Sequence, residues 1–141
     1  MAFTGNWTCN VFKTGLANGQ YNFTSDTFKI ALYTNAATLD ASTTVYTTIG
    51  EVVASGYTAG GYTLTVDQTP TIGNSGSVAY LSFSNAVWAS GLTARGALIY
   101  KSGSGKPAVC VLDFGNDKTS TTTFTVQFPA VTNTSAIIRI A

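Results

Sequence analysis

Residues 95–114 read RGALIYKSGSGKPAVCVLDF, and this stretch decides the fold class. Residues 95–101 are apolar in the middle, and residues 108–114 form a nearly continuous apolar run rich in residues that favour strands. Between them, residues 102–107 combine Ser, Gly, Lys and Pro, which predicts a turn that closes a hairpin. The stretch therefore predicts two adjacent antiparallel strands, of which the second is buried on both faces.

Strand patterns continue on both sides of this hairpin. Phe28, Ile30 and Leu32 alternate with more polar neighbours, which predicts a half-buried strand. The same criteria predict strands at 27–34, 62–67, 78–84, 95–101, 108–114, 121–128 and 135–140, turns at 70–76 and 115–120, and a connection at 85–94. Residues 45–53 fit either a short helix or a strand.

One helix is predicted, from Trp7 to Gly19, with Gly19 as its stop signal. The side chains of Val11, Phe12 and Leu16 share a face with Trp7 at helical spacing.

Together these elements predict an all-β chain: a β-sandwich or jelly roll of about seven to eight antiparallel strands with one short N-terminal helix. The strands from Arg95 onward are expected to form an antiparallel meander. A length of 141 residues without a linker or a shift of composition predicts a single domain, residues 1–141.

Charge is scarce, and its distribution excludes several classes of partner. Charged residues make up 9% of the chain, with 7 basic and 6 acidic residues and a formal net charge of +1. Nucleic-acid binding needs a basic patch, and none is present, so no nucleic-acid partner is expected. The apolar runs are far shorter than the ~20 residues of a membrane helix, so no membrane partner is expected. The first residues lack the pattern of a signal peptide.

The residues that usually carry catalysis are also scarce. The chain has no histidine, and Glu51 is its only glutamate. Asp113 and Asp117 are too few ligands for a calcium loop. Cys9 and Cys110 lack zinc spacing and a histidine partner; a packed free thiol is predicted for Cys110, and the sequence leaves a disulfide between the two open. We therefore expect no enzyme, no catalytic residue, no cofactor and no metal.

Seven stretches resemble a family of small virion structural proteins of tailed phages. They are DTFKIALYT (26–34), ASTTVY (41–46), EV (51–52), GYTAGG (56–61), ARGALIY (94–100), VLDFG (111–115) and FTVQFP (124–129). Within this family the chain is most similar to the capsid decoration, or cement, proteins of Bordetella-type short-tailed phages, and the resemblance spans roughly residues 10–141.

The resemblance implies a protein that binds the outer surface of an HK97-like head and stabilises it by bridging capsomers. It implies the major capsid protein as partner and a virion location on the outer capsid surface after synthesis in the host cytoplasm. A homo-oligomer, with a dimer favoured, is expected because closed dimers are the commonest assemblies. The irregular region 7–61 is the expected contact region. The predicted protein-contact residues are Trp7, Phe12, Tyr33, Tyr46, Tyr57 and Tyr62.

Two alternatives stay open. A tail-fibre or host-recognition module with a lectin-like sandwich would present an aromatic face to sugars, although core packing is the favoured role of these rings. The aromatic residues in question are Tyr33, Tyr46, Tyr57, Tyr62 and Trp88. A glycan-cleaving enzyme would need a close carboxylate pair, which one glutamate and five aspartates support poorly.

Overall fold

The computed structural model describes residues 3–73, 76–132 and 134–140. Within these residues the chain is mostly β with one short helix. In chain order the elements are β1 (Trp7–Thr8), α1 (Asn10–Ala17), β2 (Phe28–Tyr33), β3 (Tyr62–Thr63), β4 (Val66–Ile72), β5 (Ala79–Phe83), β6 (Ala86–Trp88), β7 (Thr93–Lys101), β8 (Ala108–Thr119), β9 (Phe124–Val126) and β10 (Ile138–Ile140).

The described strands pair in three antiparallel sheets. The first has the order β1-β8-β7-β2-β3, the second β10-β5-β4, and β6 pairs with β9. The first two sheets pack face to face, since the rings of Phe28 on β2 and Phe83 on β5 lie 6.0 Å apart. This arrangement confirms the predicted all-β sandwich with a short N-terminal helix.

The β7–β8 hairpin and β2 form the centre of the first sheet. Ile30 pairs with Ile99, and Ala31 pairs with Leu98. Ala31 and Tyr33 are fully buried, so the prediction that this strand is half-buried is wrong. The second sheet covers one face of β2, and the segment between β2 and β3 covers the other.

The N-terminal helix is shorter than predicted. It begins at Asn10, because Trp7 and Thr8 pair instead with Val111 and Cys110 of β8. It ends at Ala17, close to the predicted stop, and Gly19 adopts a φ of +71°, the left-handed conformation that ends many helices.

Two predicted turns lie within strands. β8 continues through 115–119, because a register shift between Ala94 and Gly96 on β7 places the extra residues around Gly115 in a bulge. Pro70–Ile72 belongs to β4, an edge strand, where a proline is tolerated. The remainder of the predicted 70–76 turn includes residues 74–75, which lie outside the described residues.

Three further predictions are corrected by pairing that is distant in sequence. The predicted strand 62–67 divides, because β3 pairs in the first sheet and β4 in the second. The predicted connection 85–94 contains β6, which pairs with β9. β10 pairs with β5, so the C-terminal meander holds only for β7 and β8.

Candidate protein-contact surface

Segment 34–61 connects β2 to β3 and lies against one face of the first sheet. Neither the helix nor the strand allowed by the sequence forms at 45–53. The segment contains only isolated bridges, from Leu39 to Phe3, from Val45 to Pro107 and from Glu51 to Tyr33. A few backbone bonds tie it to its neighbours, for example from the Val52 N–H to the Leu32 carbonyl at 2.9 Å, and side chains supply the remaining hydrogen bonds.

The carboxylate of Glu51 is the centre of these side-chain bonds. Its Oε1 atom accepts hydrogen bonds from the Tyr57 hydroxyl at 2.8 Å and the Gly60 backbone N–H at 2.7 Å, and its Oε2 atom accepts one from the Tyr46 hydroxyl at 2.6 Å. We call these four residues the Glu51 cluster. Glu51 is only 7% exposed, and bonds of this kind compensate a buried charge.

The Glu51 cluster is tied to the sheet beneath it. The Tyr57 hydroxyl accepts a hydrogen bond from the Leu32 backbone N–H at 2.9 Å, and the Tyr100 hydroxyl donates to the Gly60 carbonyl at 2.7 Å. The Tyr100 ring also stacks on the Tyr46 ring with a centroid distance of 4.8 Å. These contacts fix both ends of the cluster to β2 and β7.

The conformation at Gly61 explains how the segment returns to the sheet. Gly61 has a φ of +82°, and a Cβ atom at this position would lie 1.9 Å from the carbonyl oxygen of Ile30. Only glycine allows this approach and this φ without strain. Gly61 is therefore required for the close contact between the segment and β2.

The phenols of this region are held in their neutral form. Burial, with a smaller contribution from the nearby Glu51 charge, raises the pKa of Tyr100 to about 12. Burial raises the pKa of Tyr33, Tyr46 and Tyr57 still more, again with a contribution from Glu51. At neutral pH these groups act as hydrogen-bond donors, and the three donors on Glu51 occupy its carboxylate. The arrangement positions a backbone segment and offers no free acid–base pair.

Three large apolar side chains of the segment are exposed. Val45 is 46% exposed, Ile49 is 77% exposed and Val53 is 96% exposed. Ile49 lies at the tip of a turn in which the Glu51 N–H donates to the Thr48 carbonyl at 3.2 Å. We call Val45, Ile49 and Val53 the apolar surface of the segment. These three residues lie on both sides of the buried Glu51 in the sequence. The Glu51 cluster therefore holds the backbone from which their side chains project.

The structure separates the six predicted contact residues. Tyr46 and Tyr57 are half-buried members of the Glu51 cluster. Tyr33 is fully buried, and its hydroxyl donates to the Thr47 carbonyl at 2.7 Å. Tyr62 packs on the Trp88 ring at 5.6 Å.

The other two contact residues lie at the opposite edge of the first sheet. Trp7 on β1 is 40% exposed, whereas Phe12 on α1 is buried against Tyr21 and Phe23. Phe12 and Tyr33 therefore fill the core, and neither side chain is exposed for contact with another protein.

The aromatic residues considered for a sugar-binding face also pack inward. Trp88 is buried, and the ring of Tyr57 lies 6.1 Å from it. These rings contact one another across β3, β6 and the end of segment 34–61, so they serve packing in this structure.

Sequence reasoning missed Glu51, Val45, Ile49 and Val53 as members of the site. One signal was available: the only glutamate of the chain lies in an irregular region beside Ile49, Val52 and Val53. An isolated charge among apolar residues without strand alternation marks a carboxylate that has to be satisfied locally.

The two cysteines are not members of the Glu51 cluster, and both are buried free thiols. Burial raises the pKa of Cys9 to about 11 and that of Cys110 further, so neither is activated as a thiolate nucleophile. Among residues 3–73, 76–132 and 134–140, no group of three or more His, Cys, Asp or Glu side chains could hold a metal ion. The helix in this part of the chain is too short to cross a membrane.

Comparison of the chain with protein-family models, with curated proteins and with solved structures finds no match.

Proposed function

We propose that this chain is a capsid decoration protein, which binds the outer surface of an HK97-like phage head and stabilises it by bridging capsomers. The observation that carries the proposal is the apolar surface formed by Val45, Ile49 and Val53 on a segment held by a buried carboxylate. The sequence resemblance to virion structural proteins supports the identity of the partner, the major capsid protein.

The apolar surface is suited to docking on a large partner. Burying one Ile or Val side chain contributes roughly 1.5–3 kcal/mol. Much of the entropy cost of ordering the loop is already met in the free protein, because the Glu51 cluster holds its backbone. A protein that binds only the assembled shell stabilises it by mass action, and many symmetric copies make the total effect large.

Self-association belongs to the same proposal. Closed dimers are the commonest homo-oligomers, and a dimer would present two copies of the apolar surface to neighbouring capsomers. Sedimentation equilibrium of the purified protein measures this directly, and a monomer at all concentrations would remove the dimer from the proposal while leaving the docking surface to be tested on its own.

The test is co-sedimentation with heads that lack this protein. The wild-type chain is expected to bind at a saturating ratio to the major capsid protein and to raise the temperature at which heads lose their DNA. The double variant Ile49→Glu and Val53→Glu is expected to bind about 100-fold more weakly, the equivalent of about 3 kcal/mol.

The matched control is Ile72→Glu on β4, because Ile72 is also an exposed apolar residue, at 59%. It is expected to leave head binding unchanged. Absence of wild-type binding would overturn the proposal, and equal losses for the double variant and the control would remove the apolar surface from it.

Carbohydrate binding by a tail-fibre type of module is the second candidate. It is favoured by an open groove of about 400 Å³ along β8 and β9, where Ser120, Thr123 and Gln127 place hydroxyl and amide groups beside Phe114. Such groups can donate and accept hydrogen bonds with sugar hydroxyls. A glycan array tests it: saturable binding that is lost in Phe114→Ser, combined with no binding to heads, would replace the first proposal by the second.

A further inference from the structure

A second groove lies between α1 and β10. Its volume is about 670 Å³, within the range of protein binding sites. Phe12 and Leu16 of α1 and Ile138 and Ile140 of β10 supply its apolar lining. Ile140 remains 49% exposed, so the groove leaves apolar surface uncovered in the isolated chain.

Both sheets present an edge to this groove. β10 is the outermost strand of the described second sheet and pairs only with β5, and β1, whose Thr8 also lines the groove, is the outermost strand of the first. The outward backbone groups of an edge strand lack a partner strand and can accept an added one. An extended segment can therefore pair with β10 while its side chains enter the groove.

The charges around the groove indicate which side chains the added strand should have. Lys13 and Arg139 line it, and among the described residues neither forms an ion pair; the two salt bridges found there join Arg95 to Asp113 and Lys101 to Asp26. By strand alternation, Arg139 lies on the other face of β10 from Ile138 and Ile140, and both faces of the strand contribute to the groove lining. A partner strand with apolar residues on one face and carboxylates on the other matches both faces of β10.

A second copy of this chain fits the edge poorly. Antiparallel pairing of two β10 strands about their centres would place two Arg139 side chains opposite each other, and like charges at that position are destabilising. The charge pattern favours a different protein with acidic residues in the docking segment.

We infer that the groove between α1 and β10 is a docking site for an extended segment of another protein, with alternating apolar and acidic residues, that adds to β10 as a further strand. This site is separate from the apolar surface at Val45, Ile49 and Val53 and does not depend on the proposed function. Two docking surfaces on one chain would allow it to hold two partners at once.

The test uses fluorescence anisotropy with a capped, fluorescein-labelled six-residue peptide of alternating valine and glutamate. Saturable binding with a Kd below about 1 mM is expected, and the same peptide with lysine in place of glutamate is expected to bind at least tenfold more weakly. Arg139→Glu is expected to reverse this preference. Shifts of backbone amide signals in NMR are expected at α1 and β10.

The matched control is Lys118→Glu, which makes the same change of net charge at an exposed position on β8. It is expected to leave the peptide preference unchanged. Absence of saturable binding, equal binding of the two peptides, or an unchanged preference in a folded Arg139→Glu variant would each overturn the inference.

Discussion

Strands β2, β7 and β8, which we call the ladder, and segment 34–61 both bury backbone against the same core. The two regions differ in how their buried backbone groups are hydrogen-bonded. In the ladder, backbone groups pair with backbone groups along a continuous register, for example from Phe28 to Tyr33 against β7. In the segment, the buried carboxylate of Glu51 collects the hydroxyls of Tyr46 and Tyr57 and the N–H of Gly60. The ladder therefore depends on a pattern of residue types, and the segment depends on a few specific side chains.

Because of this difference, the ladder stabilises the fold, whereas the segment positions exposed side chains. A ladder of backbone bonds tolerates many apolar sequences, since its hydrogen bonds do not involve side chains. A segment held by a few specific bonds, those of Glu51 among them, can adopt an irregular path and expose apolar residues such as Ile49 at its surface. We therefore expect variants in the ladder to lower the stability of the whole fold, and variants in the segment to loosen mainly the segment itself.

The largest effect is expected in the ladder. Leu98 on β7 is fully buried, and Leu98→Ala is expected to lower the free energy of unfolding by about 2–5 kcal/mol because it removes packing and leaves a cavity. Urea unfolding monitored by circular dichroism measures it, and the segment is expected to unfold together with the sheet. Val53→Ala, at a 96% exposed position, is the control and is expected to change stability by less than about 0.5 kcal/mol. Equal effects of the two variants would contradict the assignment of Leu98 to the core.

A smaller and more local effect is expected at Glu51. Glu51→Ala leaves three donors without their acceptor and is expected to cost about 2 kcal/mol, mostly by releasing segment 34–61. Thiol labelling reports this: Cys9 lies under the segment, with its Sγ atom 4.0 Å from the Asp40 carbonyl, whereas Cys110 lies in β8. Labelling of Cys9, in protein with Cys110→Ala, is expected to accelerate more than labelling of Cys110 in protein with Cys9→Ala.

Glu51→Gln is the control for this experiment, because it retains an oxygen acceptor and is expected to have a smaller effect on both rates. If Glu51→Ala accelerated the labelling of both thiols equally, the segment and the ladder would form one cooperative unit, and the contrast between them would fail.

The smallest effect at neutral pH is expected from Tyr57→Phe, about 1 kcal/mol, but it has a distinct alkaline signature. The folded pKa values of Tyr33, Tyr46, Tyr57 and Tyr100 are raised above the ordinary value near 10. Above pH 10 the unfolded chain therefore binds fewer protons than the folded chain. Stability from these groups is complete below pH 10 and falls as the pH rises, by up to about 1.4 kcal/mol per pH unit for each tyrosine.

Urea midpoints at pH 8, 10 and 11, with phenolate absorbance followed in parallel, measure this slope. Tyr57→Phe is expected to make the loss of stability above pH 10 shallower than in the wild-type chain, since one buried phenol no longer titrates. Parallel pH profiles for the two proteins would show that Tyr57 does not contribute to the alkaline unfolding.

Much of the ladder could be predicted from the sequence. The alternation at Phe28, Ile30 and Leu32 located β2, and the apolar runs around residues 102–107 located the β7–β8 hairpin. These elements depend on local periodicity and on a turn of a few residues. The continuation of β8 past Gly115 was missed, because a bulge and a turn use the same residue types.

The Glu51 cluster and the apolar surface of segment 34–61 were harder to predict. Tyr46 and Tyr57 were among the predicted contact residues, and both belong to the Glu51 cluster, but the carboxylate that joins them and the exposed Val53 were missed. Irregular segments have no period that relates one position to the next, so nothing local shows which side chains meet.

The sequence by itself determined the all-β class, the central hairpin and the scarcity of catalytic groups, because composition and short-range alternation carry that information. Only the tertiary structure decided that β9 pairs with β6 and β10 with β5, and that Glu51 is buried while Val45, Ile49 and Val53 are exposed. The physical reason is that these contacts join residues far apart in the chain. Their free energy comes from the surroundings that the whole fold creates, which no single stretch of sequence contains.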